Sequence, residues 1–276
     1  FSSLNNSLSL TSFKNESLRT SSTANYGNFG SELAIFDLPF IFKSLEDAKR
    51  ISNEWLAERQ CKLALENSGH ICLSVYSSGG FRQLGNATKP VHVPGDMKGL
   101  KWRTTKSPIE FMLVKNWGAT PTPYDWSQLY SGLQSGVVEG QYVASPWQHV
   151  AKLHEVAKYF TEIGGMWSGN ILAMDAKQYN ALSSEERKWL HEAADAYGEK
   201  VNQLDNAWIK NGEDIIKASA KEWYVPSDAE MTKWRAGAIG AWVKAKGTFE
   251  PEVAKRVLLE QGMDGFVAQL EKAGAL

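Results

Sequence analysis

Hydrophobic and polar positions along the chain change period repeatedly, and the most organised part runs over residues 99–147, GLKWRTTKSPIEFMLVKNWGATPTPYDWSQLYSGLQSGVVEGQYVASPW. A short alternating segment, GLKWR, predicts a strand ending at Arg103. A polar run and an amphipathic helix follow, then a second short strand and a Pro-rich turn carrying Tyr124 and Trp126. A helix over about 127–134 leads through Gly136 to a strand over 137–143. The order is β-α-β-α-β, and open α/β sheets bind ligands at the carboxyl ends of their strands.

Upstream, residues 1–17 are Ser/Asn-rich and predict irregular chain. A short strand is expected at 18–22 and a polar loop at 23–27. The apolar run LAIFDLPFIF (33–42) is interrupted by Pro39, which cannot donate to a central ladder, so it reads as a buried strand or turn. Ser44, with Asp47 three residues on, caps a helix that Gly69 ends. HICLSVYSSGG predicts a strand entering a glycine turn, and FRQLGNATKPVHV an extended segment.

Downstream, a helix is expected over 146–159, then a strand interrupted by Gly164, Gly165 and Gly169. Ser183 or Ser184 caps a long helix that runs past Asn211, with bends expected near Gly198 and Gly212. Acidic residues in its first turn suit the helix dipole. EWYVPSD is a last strand, and the remainder is helical, broken at Gly247 and Pro251. Alternating strands and helices imply an α/β protein with largely parallel sheets.

Composition narrows the function classes. The chain has 276 residues, 43% hydrophobic and 22% charged, with a formal net charge of −1. That length predicts two lobes. No basic footprint for nucleic acid or an anionic membrane exists, and no apolar run approaches the ~20 residues of a membrane span. No basic n-region precedes an apolar h-region near the N-terminus. Cys61 and Cys72 are expected to be two buried thiols, with a disulfide as the alternative; so few cysteines do not choose a compartment. Eleven tryptophans suit both a core and aromatic walls over a ligand.

No nucleophile, phosphate-loop or dinucleotide motif is present. His149 and His154 are five apart, off the register of a helical metal pair, and read as solvent-facing. Asp125 and Glu139 could pair as in a glycosidase, but Asp125 suits a cap for the following helix equally well. Neither a metal nor a cofactor is expected. Arg103 is different: an arginine ending an apolar strand has a planar fork that matches a carboxylate bidentately. An internal salt bridge or a solvated strand end explains it as well. Arg82, after Gly79 and Gly80, offers a weaker version of the same argument.

Five segments, in this order, carry a resemblance: LAIFDLPFIF, GGFRQLGNATKPV, DMKGLKWR, WGATPTPYDWSQLYSGLQSGVVEGQ and LSSEERKWLHEAA. Together they resemble the DctP-type solute-binding proteins of tripartite ATP-independent periplasmic (TRAP) transporters, from about Leu18 to the C-terminus. The resemblance implies a two-lobed α/β periplasmic-binding-protein fold with a central cleft. Its lobes would be 1–78 with 169–208, and 79–168 with 209–276, joined by crossing strands and a long helix.

It also implies a periplasmic receptor rather than an enzyme. Such a receptor closes on a small organic-acid anion and delivers it to membrane permease subunits. The family's carboxylate-binding arginine falls on Arg103, its variable second arginine on Arg82, and its aromatic after the Pro-x-Pro turn on Trp126. Where the family has Gly-Gln-Glu-Asn, this chain has Gly140-Gln141-Tyr142-Val143, so Gln141, Tyr142 or Trp147 is expected to replace the lost amide. Ser22 and Asn25 would line the cleft from the other lobe, and Trp167 and Asn170 from the returning strand. Residues 1–17 are too short for the strand-helix-strand unit that precedes this region in relatives, so an incomplete first lobe is expected. An enzyme acting on an acidic sugar and a non-transport sensor are the alternatives. The acid itself, whether aromatic, sugar-derived or dicarboxylic, is not legible.

Overall fold

The computed structural model describes residues 18–26 and 31–276, with the side chains of 25–26, 31–33, 61 and 64–68 excepted. The readings on residues 1–17, the incomplete first lobe among them, lie outside the described residues, as does the Asn25 side chain.

The strands in chain order are β1 (Leu18–Ser22), β2 (His70–Asn86), β3 (Lys101–Thr104), β4 (Thr120–Pro123), β5 (Gly140–Ala144), β6 (Tyr159–Thr161), β7 (Trp167–Asp175) and β8 (Glu222–Tyr224). The α-helices are α1 (Thr23–Tyr26), α2 (Leu45–Ile51), α3 (Ala57–Ser68), α4 (Pro108–Asn116), α5 (Leu129–Ser135) and α6 (Ser145–Val150). They continue with α7 (Ala176–Ala181), α8 (Ser184–Ser219), α9 (Asp228–Ala245), α10 (Pro251–Leu259) and α11 (Asp264–Lys272).

The organising element is β2. Its first part pairs antiparallel with β7, which in turn pairs with β1. Its last part, from Arg82, pairs antiparallel with β5 and β6. Between them the register slips from Ser77 to Phe81, where Gly79 and Gly80 take φ of 91° and 73°. Only glycine adopts such angles cheaply, so the expected glycine turn is a bulge inside one long strand. Beyond β5 the sheet is parallel: β3 pairs with β4 and touches β5. The sheets are therefore mixed, not largely parallel, because β2, β1 and β7 meet antiparallel.

Helix boundaries follow their caps. Ser44 Oγ accepts from the Asp47 N–H at 3.0 Å, and Gly69 ends α3 in the left-handed region. Ser183 and Glu186 form a reciprocal capping box at the start of α8. α8 is one unbroken helix of 36 residues, so no break occurs at Gly198 or Gly212. Those glycines are points of close approach: a Cβ on Gly212 would lie 2.7 Å from Pro146 Cα, and one on Gly198 2.5 Å from Ser74 Oγ. The helix expected over 146–159 ends at Val150, because Lys152 adopts a positive φ of 57° that no Gly or Pro announces.

Two large cores result. One gathers the apolar run around Phe36, Leu38 and Ile41 with Trp167, Trp242 and the C-terminal helices. The other joins Trp102, Trp117, Tyr142 and Trp234. LAIFDLPFIF forms a 3-10 helix (Ser31–Asp37) and a turn, so it is not a strand; it feeds the first core except at Phe40, which belongs to the second. Two smaller readings are corrected. Cys72 is disulfide-bonded, and no described cysteine is a free thiol. His149 and His154 are half-buried, with ring centroids 5.4 Å apart, rather than facing solvent.

Candidate ligand-binding site

Arg103 sits at the carboxyl end of β3, one residue past Trp102, whose ring is fully buried. Trp102 can lie flat across β5 because Gly140 opposes it; a Cβ there would come within 2.2 Å of the indole. This close packing sets the depth of β3 and thus of its last residues. Arg103 is only 5% exposed. Its Nε donates to the Tyr124 carbonyl at 3.0 Å, which fixes the plane of the guanidinium. Among the described residues no carboxylate lies within ion-pair distance of it, and its Nη groups make no hydrogen bond. Burial lowers its pKa, opposed by Glu110 and Asp125, yet an arginine stays charged. A buried, oriented fork with two free nitrogens is therefore offered to an anion.

Arg82, on β2 just past the glycine bulge, is equally buried but engaged. Its Nη1 donates to Glu110 Oε2 at 3.1 Å, and Nη2 lies 3.9 Å from Asp37 Oδ1. Glu110 is the third residue of α4, whose N-cap Ser107 accepts from the Glu110 N–H at 3.3 Å. The same Oε2 also accepts from the backbone N–H of Thr105 at 3.0 Å and from the Thr105 hydroxyl. Asp37, at the end of the 3-10 helix, has its carboxyl pushed up to about 6. Burial is the main cause, Arg82 and a Ser107 hydrogen bond oppose it, and Glu110 adds to it.

Tryptophans form a wall beside Arg103. The Arg103 guanidinium lies 5.9 Å from the Trp126 ring. Trp126 meets Trp147 edge to face at 6.3 Å, and Trp147 meets Trp208 of α8 at 5.3 Å. The Trp147 indole N–H donates to the carbonyl and hydroxyl of Ser78 at 3.1 and 3.0 Å. β2 is held to α8 here: the Asp205 carboxylate accepts from the Ser77 hydroxyl at 2.5 Å and the Gly79 N–H at 2.8 Å.

The structure thus brings Arg103, Trp126 and Trp147 together. Ser22 and Asn170 oppose one another in the β1–β7 register, and Tyr76 of β2 follows next in that line. Three other expected residues are buried otherwise. Gln141 is enclosed, its amide donating to Gln148 Oε1 at 2.7 Å. Tyr142 lies in the core against Trp117, burial raising its pKa. Trp167 is packed between Phe36 and Phe42. Glu110, Trp208 and Ser78 were not singled out by sequence. Asp37 left one signal, a lone carboxylate inside an apolar run. Asp125 is exposed, and Glu139 accepts from the Lys101 N–H at 2.9 Å. No group of three or more His, Cys, Asp or Glu among the described residues could hold a metal.

The model of the DctP family, bacterial extracellular solute-binding protein family 7, matches residues 14–247. The chain belongs to this family. Its members are solute-binding proteins, not enzymes. The chain is similar to the 2,3-diketo-L-gulonate-binding periplasmic protein YiaO of Escherichia coli (strain K12). The two are 27% identical over 187 residues, 68% of this chain and 56% of that protein. Its fold is that of a TRAP solute-binding protein from Shewanella oneidensis with bound succinate. The TM-score is 0.83 at 20% identity, covering 88% of this chain and 79% of that one. A TRAP solute-binding protein from Polaromonas sp. JS666, bound to D-erythronate, gives a TM-score of 0.82 at 26% identity, covering 88% and 78%. The chain spans just over half the length of the curated relatives it matches. No helix of the described residues is long and apolar enough to cross a membrane.

Proposed function

We propose that this DctP-family chain is the receptor of a TRAP transporter, binding a small organic-acid anion in the periplasm and passing it to the permease subunits. The observation that carries the reading is Arg103, a nearly buried guanidinium with no carboxylate among the described residues to answer it. A ligand carboxylate would take the two free nitrogens in parallel N–H···O bonds. Trp126 and Trp147 would cover the ligand body. Cys72's disulfide accords with an oxidising compartment. YiaO by its name, and the Polaromonas protein by its bound ligand, handle acids.

The two arms of β2 support a break near Gly79–Gly80, with residues 1–78 and 169–208 assigned to one lobe and 79–168 and 209–276 to the other; the C-terminal helices from Trp242 onward cross back to pack on Phe36 and Ile41 of the first. In that division Ser22 and Asn170 approach the ligand from the first lobe as the cleft closes. Arg82 contributes through Glu110 rather than by touching the ligand. Gln141, Tyr142 and Trp167 act as support behind the wall.

Calorimetric titration with a panel of organic acids tests this. Binding at 1:1 with the acid recovered unchanged is expected, and Arg103→Ala should abolish it. Near-wild-type titration of that variant would sink the assignment.

A further inference from the structure

Three arginines are buried among the described residues: Arg19, Arg82 and Arg103. Arg19 lies toward the start of β1, away from Ser22, with its Nη1 3.5 Å from His70 Nε2. Arg82 and Arg103 are close enough for their charges to act on one another and on Glu110. They differ in one respect. Arg82 is held by Glu110 Oε2, which also takes two donors from Thr105, and it faces Asp37. Arg103 has no such partner.

Counting formal charges, Asp37 and Glu110 set two negative charges against Arg82 before any ligand arrives. A first ligand carboxylate is answered by Arg103. A second would bring a further negative charge to a buried region whose remaining cation is already taken. It could take Arg82 Nη1 only by displacing Glu110, whose Oε1 already lies buried without a partner, and at Nη2 it would be brought against the Asp37 carboxylate. Leaving a buried charge unpaired is heavily penalised. Glu110 cannot swing out to water cheaply either, since it is fully buried in the first turn of α4.

We propose that Glu110 is a specificity-determining residue: by keeping Arg82 engaged it leaves Arg103 as the single anchor, so the site takes monocarboxylate anions and rejects dicarboxylates of the same carbon body. This rests on the receptor reading given above. Glu110 acts through Arg82 and is a positioning residue.

The test uses the whole chain and matched pairs of acids by isothermal titration calorimetry: butanoate against succinate, D-gluconate against D-glucarate, 2-phenylpropanoate against phenylmalonate. Where the monoacid of a pair binds, its diacid should bind at least about a hundredfold more weakly, the scale set by an unpaired buried charge. A diacid that binds within tenfold of its monoacid overturns the inference and leaves the receptor reading standing. If no acid of the panel binds, both fall.

Glu110→Gln supplies an independent readout, because it removes the negative charge that answers Arg82 while preserving shape. The ratio of diacid to monoacid affinity should rise by tenfold or more, which a purely structural role would not produce. A folded Glu110→Gln protein that keeps the wild-type ratio overturns the assignment. Folding is checked by circular dichroism, and the wild-type pairs decide the matter if the variant does not fold.

Discussion

Glu110 meets Arg82 at 3.1 Å, with side chains 0% and 6% exposed. The pair is placed by two unrelated local features. Ser107 caps α4 and so puts Glu110 in its first turn, where a negative charge is favoured by the helix dipole. The Gly79–Gly80 bulge shifts β2 from one partner strand to others just before Arg82. The consequence is asymmetry: two arginines at equal depth, of which Arg103 alone is open to an outside anion.

That asymmetry makes the form of the cation at 103 matter as much as its charge. Arg103→Lys keeps the charge but loses the bidentate fork and the Nε bond to the Tyr124 carbonyl. Carboxylate affinity should fall roughly tenfold, and Arg103→Ala should lower it further, by on the order of 2–5 kcal/mol. Titration calorimetry of both variants checks the order. A lysine variant as good as wild type would mean that the fork is not used.

Asp37 gives a pH dependence with a definite sign. Its folded-state pKa of about 6 lies above the ordinary 3.8, so between those values the folded protein binds more protons than the unfolded chain. Asp37 therefore opposes folding at neutral pH, and this opposition is relieved as pH falls from about 6 toward 4, by at most roughly 3 kcal/mol. Urea unfolding of wild type and Asp37→Asn at pH 7.5 and pH 4.5 isolates the effect. The difference in stability between them should move in favour of wild type at the lower pH. Parallel pH profiles for the two proteins would count against it.

Gly212 is a test of packing rather than of helix propensity. Alanine in mid-helix is intrinsically favoured by about 1 kcal/mol, but its Cβ would lie 2.7 Å from Pro146 Cα and 2.8 Å from Pro146 N, which are backbone atoms that cannot rotate away. Overpacking of this kind costs about 1–3 kcal/mol, so Gly212→Ala should be net destabilising and displace α6 from α8. Gly265→Ala on α11, where a Cβ meets nothing within 4 Å, should be neutral or slightly stabilising. Thermal unfolding of the pair distinguishes the two causes.

What the sequence made legible was local. Ser44 with Asp47 and Gly69 act within a turn of themselves and took their expected roles, and of the two serines offered as cap for the long helix it is Ser183 that caps it. The alternation over 99–147 likewise gave the β3-α4-β4-α5-β5 order and Arg103 at a strand end. What stayed hidden depends on distant partners. Gly79–Gly80 serve a turn or a bulge equally well, and only the pairing of β2 with β7 on one side and β5 on the other decides between them. The engagement of Arg82 needed Asp37 and Glu110, 45 and 28 positions away, to reach one buried spot. Trp208 carries no local signal that sets it apart on a long helix.

Trp208 is where the last prediction lies. It meets Trp147 edge to face at 5.3 Å, and Trp147 meets Trp126 beside Arg103, so α8 supplies the far end of the wall. Trp208→Ala leaves Arg103 and its Tyr124 bond untouched but removes the support behind Trp147, whose ring would then be held only by its indole N–H bonds to Ser78 and its edge contact with Trp126. For an acid with an apolar or aromatic body, loss of this ring should weaken binding by about 1–2 kcal/mol, roughly 5- to 30-fold. For formate, which offers a carboxylate and almost no body, any affinity should change by less than about twofold. Titrating phenylacetate and formate against both proteins separates the wall from the anchor. An equal loss for both acids would show that Trp208 acts by placing Arg103, not by covering the ligand.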